Sequence, residues 1–103
     1  MIDDVIRLSA REVVSRLERK ELSPLDLIDA LAARIGAVDG AVDALPTLCL
    51  ERAGTHARVL MSGRRREAEG EPGWLAGLPV PIKDLVDVAG VRTTYGSPIF
   101  RDH

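Results

Sequence analysis

The sequence has few aromatic residues, a single cysteine and no long apolar run. Its three aromatic residues, Trp74, Tyr95 and Phe100, all lie in the last third, so the front of the chain must pack on aliphatic side chains. Cys49 cannot form an internal disulfide, and we therefore expect a reducing, cytoplasmic compartment. Its position between two leucines predicts a buried, unreactive side chain. Without a long apolar run, the sequence predicts no transmembrane helix and no membrane partner.

The sequence also lacks a strong excess of either charge. Its 14 basic and 16 acidic residues give a net charge of -2. Proteins that bind nucleic acid usually carry a basic patch, so we expect no nucleic-acid partner. The one basic cluster, Arg64–Arg66, is followed by glutamates and predicts a solvated loop. The two histidines and Cys49 do not have the spacing of metal ligands, and we expect neither a metal nor a cofactor.

Two serines mark the predicted starts of amphipathic helices. Ser9 and Glu12 have the spacing of a capping box, in which each residue binds the backbone N–H of the other. Ser23 is followed by Pro24 and Asp26, and this order suits a helix because serine caps it and proline fits its first position. The sequence therefore predicts one helix after Ser9 and another after Ser23.

Glycines suggest where the later helices end. Gly36 and Gly40 are the predicted stopping points of the second helix, and a third is expected from about Thr47 to Ser62, closed by Gly63. We expect the helices to pack around a shared set of apolar side chains, namely Leu17, Leu27, Leu31, Ile35 and Leu60.

The last third has a different pattern, with β-branched residues in short runs between prolines and glycines. This pattern favours strands, and we expect residues 80–88 to be extended. The layout is then a helical segment (1–62), a polar connector (63–76) and a strand and loop block (77–103). One or two strands cannot complete a sheet. We therefore predict an α/β fold, in which N-terminal helices precede the first strands of a mixed sheet that needs further polypeptide to complete it.

Lys83 lies inside the apolar run GLPVPIKDLVDVAG, residues 77–90. A lysine in such a run can extend its ammonium to water, or it can pair with the carboxylate of Asp84 or Asp87. It can also be desolvated, so that the neutral amine becomes a base or a nucleophile. Neighbouring residues on a strand point to opposite faces, so Asp84 is not a natural partner. The residues alone leave these alternatives open.

Three short motifs resemble the first block of the amidase signature family. They are the segments 77–84 (GLPVPIKD), 87–90 (DVAG) and 93–97 (TTYGS), in that order. The helical front, with SARE at 9–12 and ELSP at 21–24, is similar to the N-terminus of those enzymes. The resemblance covers essentially the whole chain, which corresponds only to the beginning of such an enzyme.

The resemblance implies a serine-type hydrolase of C–N amide bonds that acts on a small-molecule amide. Such enzymes use a nucleophilic serine, a second serine on a cis peptide bond and a lysine, which corresponds to Lys83. Lys83 would be the proton acceptor and relay. Nothing in the sequence matches the stretch that carries both serines. Ser97 is interpreted as a loop residue and Asp84 as a structural hydrogen-bond acceptor, and we expect the 103-residue chain alone to be inactive.

Two alternatives remain. The chain could be a truncated, non-enzymatic remnant or a docking segment. It could also be part of the amidase-like subunit of a glutamyl-tRNA amidotransferase. In that subunit an asparagine typically follows the lysine and aspartate, whereas Leu85 stands here. Together with residues 88–90 (VAG), this favours a stand-alone amidase.

Overall fold

The regular structure of the chain is helical. A computed structural model describes residues 2–63 and 71–103. The four α-helices of this described part are α1 (Ile2–Ile6), α2 (Ala10–Glu18), α3 (Pro24–Val42) and α4 (Leu50–Met61), and a short 3-10 helix spans Pro98–Phe100. Helix α1 was not predicted. Half of the predicted connector, residues 64–70 with Arg64–Arg66, lies outside the described residues.

Both predicted helix starts are confirmed, but the capping box predicted at Ser9 is only half formed, because the Glu12 carboxylate binds Arg16 Nε at 3.1 Å instead. The Ser9 hydroxyl accepts a hydrogen bond from the Glu12 N–H at 3.1 Å and caps α2. At the start of α3, the Ser23 hydroxyl accepts from the Asp26 N–H at 3.0 Å. The Asp26 carboxylate in turn accepts from the Ser23 N–H at 3.2 Å, which completes a capping box. These side chains bind backbone donors that the first turn of a helix leaves without intrahelical partners.

The predicted helix ends are only partly right. Helix α3 continues through Gly36 and Gly40 and ends at Val42. It stops because Asp43 adopts a left-handed conformation, with φ of 52°, and its N–H donates to the Asp39 carbonyl at 2.6 Å. A glycine inside a helix costs only about 1 kcal/mol relative to alanine, which does not by itself end a helix.

Helix α4 begins three residues later than predicted, at Leu50 rather than about Thr47. Gly63 follows its C-terminus with φ of 80°, as expected for a glycine that closes a helix. Cys49, just before this helix, is exposed, so the prediction of a buried cysteine is wrong.

The core lies between α2, α3 and the segment that precedes Lys83. Its central cluster contains Val13, Leu17, Leu27 and Ala76, and Trp74 and Leu78 are among the half-buried residues packed against it. Of the predicted core residues, Leu17 and Leu27 are buried, whereas Leu31, Ile35 and Leu60 are half-buried.

The predicted α/β fold with a mixed sheet is wrong for the described residues, which contain no β-strand. The nearest feature to a sheet is a single antiparallel bridge between Val88 and Val91. Residues 80–88 do not run extended throughout, because the chain turns after Lys83 and the Val86 N–H donates to the Lys83 carbonyl at 2.9 Å. β-Branched residues suit a pleated surface, but a strand forms only where a second strand accepts its backbone hydrogen bonds.

The helices are also short. None of those in the described part of the chain has the length and apolar content needed to cross a bilayer.

Candidate functional site

The segment that carries Lys83 begins against the helical core. We call residues 77–103 the lysine block. Its first residue, Gly77, has φ of 103°, and a Cβ atom at this position would lie 2.6 Å from Cγ of Pro24. Both the conformation and the close approach require glycine. The lysine block is thereby anchored on the first turn of α3.

Lys83 lies in an exposed loop of this block. Its carbonyl accepts the Val86 N–H, which closes a tight turn. Among the described residues its ammonium makes no ion pair and no side-chain hydrogen bond. The apolar side chains on either side, Val80, Ile82 and Leu85, are themselves more than half exposed. The enclosed, desolvated environment that a lysine base requires is therefore not formed by the described residues alone.

Asp84, the residue after Lys83, binds the far end of the block. One carboxylate oxygen accepts the Thr94 N–H at 2.8 Å, and the other accepts the Thr94 hydroxyl. The Asp84 carbonyl accepts the Tyr95 N–H at 3.1 Å. The hydrogen bonds from Thr94, the hydroxyl first, hold the pKa of the Asp84 carboxyl below its usual range, and the positive charge of Arg92 adds to this. The interpretation of Asp84 as a structural hydrogen-bond acceptor is confirmed.

The second acidic residue near Lys83 also has another partner. Asp87 accepts a hydrogen bond from the Tyr95 hydroxyl at 3.2 Å. The negative charge of Asp87 raises the pKa of the Tyr95 phenol above its usual range, because it disfavours the phenolate. Asp84 and Asp87 therefore point to residues 94 and 95, and neither neutralises Lys83.

Comparison with known proteins identifies the family. The family profile described as Amidase matches residues 26–103. The chain belongs to the amidase family. The match begins in the first turn of α3 and includes α4 and the whole lysine block. The resemblance seen in the three motifs is thus confirmed.

Several curated relatives of this amidase-family chain are named as the A subunit of glutamyl-tRNA(Gln) amidotransferase. The protein from Streptomyces coelicolor is 36% identical over 98 residues, which are 95% of this chain and 19% of that protein. The one from Geobacter metallireducens is 40% identical over 96 residues, 93% of this chain and 19% of the relative. The one from Moorella thermoacetica is 42% identical over 96 residues, 92% of this chain and 19% of the relative. The chain thus spans about a fifth of the length of these relatives, and no solved structure matches it.

Two arginines that the sequence analysis did not single out connect the amidase motifs to α4 and to the segment just before it. Arg92 donates from Nε to the Thr47 hydroxyl at 3.0 Å and from Nη1 to the Arg101 carbonyl at 3.1 Å. Arg52 on α4 donates to the Ala89 carbonyl. Neither residue has a sequence signal of its own, because both are exposed and exposed arginines are common.

Ser97 is the one serine within the lysine block, and it is a loop residue as predicted. Its hydroxyl accepts the Ile99 N–H at 3.3 Å and caps the 3-10 helix. Beside it, the Tyr95 and Phe100 rings meet edge to face, with centroids 5.2 Å apart. The His103 ring lies 5.9 Å from both. These contacts stabilise the end of the block and involve no reactive serine.

Other features of the surface do not converge on Lys83. Two open grooves border Trp74, one along α2 and one between α2 and the start of α3, and Lys83 lines neither of them. Across the described residues, no group of three or more histidine, cysteine or acidic side chains has the arrangement of a metal site. The candidate site is therefore Lys83 with the loop that positions it.

Proposed function

We propose that this chain forms the lysine-bearing N-terminal part of an amidase domain that cleaves C–N amide bonds. Lys83 is its proton acceptor and relay. The observation that carries the proposal is that the ammonium of Lys83 has no ion-pair partner among the described residues of the family-matched block, where both nearby carboxylates bind Thr94 or Tyr95 instead. A general base must be free to take a proton from its reaction partner, and an ion pair with Asp84 or Asp87 would instead occupy this side chain.

The proposed reaction begins with the neutral Lys83 amine, which takes a proton through a bridging serine and so activates a nucleophilic serine. The activated hydroxyl attacks the amide carbon, backbone N–H groups stabilise the oxyanion, and water hydrolyses the acyl-enzyme. We assign neither serine role within this chain, because Ser9, Ser23 and Ser97 each accept a backbone N–H at a helix start. Of the other two serines, Ser15 lies inside α2 and the Ser62 hydroxyl donates to the Val59 carbonyl at 2.6 Å. Further polypeptide would supply both serines and cover the exposed apolar side chains beside Lys83.

A role within a multi-subunit enzyme is the second candidate, and the names of the relatives favour it over a stand-alone amidase. In that case the parent protein would be the A subunit of a glutamyl-tRNA(Gln) amidotransferase and would work with partner subunits. Co-purification of the native protein with other subunits would support this role. A native protein that hydrolyses amides as a lone polypeptide would instead support a stand-alone amidase, as Leu85 suggests.

The first experiment is an intact-mass measurement of the native polypeptide that carries this sequence. A mass well above 11.2 kDa would place these residues in a longer enzyme. A mass of 11.2 kDa predicts that the pure chain has no amidase activity. Dose-dependent turnover of a simple aromatic amide by the pure 103-residue chain would then contradict the proposal.

The residue assignment is tested in the longer enzyme by replacing Lys83 with arginine. Arginine keeps the positive charge but does not release its proton, so it cannot act as a base. We expect Lys83→Arg to lower kcat by at least about 100-fold, the usual size of a general-base contribution.

The matched control is Lys20→Arg, since Lys20 is the other lysine of this sequence and lies just after α2. Amide hydrolysis should be unchanged in this variant. If Lys83→Arg retains normal activity with unchanged folding, Lys83 is not the proton acceptor.

A further inference from the structure

The position of Lys83 is determined mainly from its C-terminal side. Before Lys83, residues 79–82 (PVPI) contain two prolines, which have no N–H to donate, and no hydrogen bond joins this segment to another described residue. After Lys83, the Asp84 carbonyl and carboxylate and the Val86 N–H are all bonded. The loop that carries the amine is therefore fixed through Asp84 and the turn that follows.

Thr94 is the residue on which this arrangement depends. Its N–H and its hydroxyl occupy the two oxygens of Asp84, and its hydroxyl also accepts the Gly96 N–H at 3.3 Å. Asp84 is thus bound to a neutral residue 10 positions away, although it directly follows a lysine. Without the Thr94 hydroxyl, the Asp84 carboxylate would keep the Thr94 N–H but lose one of its hydrogen bonds, and its orientation would be less firmly fixed.

The surrounding residues keep Thr94 in place. Thr93 is 4% exposed, and its hydroxyl donates to the Val86 carbonyl at 3.5 Å. Arg92 binds the Thr47 hydroxyl and the Arg101 carbonyl. Thr94 therefore extends from a segment that packs on the rest of the chain, while the loop around Lys83 is exposed.

We propose that Asp84 and Thr94 are positioning residues for Lys83. Their hydrogen bonds order the loop and direct the Asp84 carboxylate away from the amine. This inference rests on the proposed function of Lys83, but its structural part is testable without any activity. A lysine that relays a proton must remain within hydrogen-bond reach of its partner, and an ordered loop supplies that geometry.

The structural test uses the 103-residue chain and ¹⁵N relaxation. Thr94→Val removes the hydroxyl while keeping the size of the side chain and the backbone N–H. We expect the backbone order parameter of Lys83 to fall from about 0.85 to below about 0.6, the range of flexible segments, in Thr94→Val. Thr94→Ser, which restores a hydroxyl, should keep Lys83 ordered. Lys20 serves as the internal control and should keep its order parameter in both variants.

An unchanged Lys83 order parameter in Thr94→Val would overturn the inference and leave the proposed function intact. Loss of order at Lys20 as well would show global unfolding and would also contradict a local positioning role. If the wild-type loop is already flexible, the positioning role is excluded directly.

The functional test uses the longer enzyme and separates positioning from general stability. Thr94→Val should lower kcat by roughly 10- to 100-fold, because small misplacements of a catalytic group have effects of this size. KM should remain unchanged, because substrate contacts are not altered, and Thr94→Ser should recover most of the rate. If Thr94→Val and Thr94→Ser lower kcat equally, the hydroxyl of residue 94 has no positioning role. Full activity of Lys83→Arg would refute the proposed function separately.

Discussion

The helical front of the chain, residues 10–61, and the lysine block, residues 77–103, are stabilised by contacts of different range. In the helical front, the polar contacts that begin α2 and α3 join residues three positions apart, as at Ser9 and Ser23. In the lysine block, Asp84 binds a residue 10 positions away, and Arg92 binds Thr47, 45 positions away. The front is organised by local rules, whereas the block depends on contacts that form only when the chain has folded.

This difference explains why Lys83, the proposed functional side chain, can be exposed. A helix satisfies its own backbone hydrogen bonds, so its side chains are free to build a core. The lysine block has no regular ladder, and side chains such as Asp84 and Thr94 satisfy its backbone instead. Lys83 is thus presented by a loop whose conformation depends on a few polar residues, and single substitutions there should act on the site more than on the core.

The largest effect is expected at Gly77, where the two regions meet. In Gly77→Ala, the new Cβ would lie 2.6 Å from Cγ of Pro24 in a backbone with φ of 103°. We expect a loss of about 2–4 kcal/mol in the free energy of unfolding, from backbone strain and overpacking together. The free energy of unfolding is measured by urea denaturation, with circular dichroism as the signal.

The matched control is Gly96→Ala. Gly96 also has positive φ, 73°, but a Cβ there would have nothing within 4 Å. This variant should lose only the strain contribution, about 1–2 kcal/mol. If the two variants are equally stable, contact with Pro24 does not join the lysine block to the core.

A smaller loss of stability is expected at the capping box of α3. A substitution there tests the short-range contacts of the helical front. Ser23→Ala removes the acceptor for the Asp26 N–H and should lower the free energy of unfolding by about 1 kcal/mol. The matched control is Ser15→Ala, since Ser15 lies inside α2. This variant should leave the free energy of unfolding unchanged or slightly higher, because alanine favours a helix more than serine does. The ¹⁵N order parameter of Lys83 should not respond to either change, and a response would show that the two regions are not separable.

The smallest effect is expected on how the stability of the fold depends on acid pH, through Asp84 in the lysine block. Since the pKa of Asp84 in the folded state lies below its ordinary value of 3.8, its ionised form stabilises the fold above that pH. This contribution is lost as the pH falls through the lowered pKa. Because Asp84 is near the surface, solvent screens the effect. Thr94→Val should reduce the dependence of stability on pH below about pH 4, measured by urea denaturation at about pH 6 and about pH 3. If the free energy of unfolding falls by the same amount between about pH 6 and about pH 3 in the wild type and in Thr94→Val, Thr94 does not lower the pKa of Asp84.

The family and the helix starts could be predicted from the sequence because each depends on short, ordered patterns. The motifs around Lys83, Asp84 and Thr94 indicated the amidase family, and Ser9 and Ser23 indicated two helix starts. The end of α3 could not be located in this way, because Gly36 and Gly40 permit a stop without requiring one. The exposure of Cys49 was also missed, because flanking leucines do not report which side of the chain faces the core.

By itself, the sequence determined the caps, the amphipathic helices and the position of Lys83 in a family motif, because these features require only residues close together along the chain. The tertiary structure alone decided that residues 80–88 turn instead of forming a strand, because pairing requires a partner that no local pattern supplies. It also decided that Asp84 binds Thr94 and not Lys83. That choice depends on bringing residues 93–97 beside the loop, where an N–H and a hydroxyl meet both carboxylate oxygens.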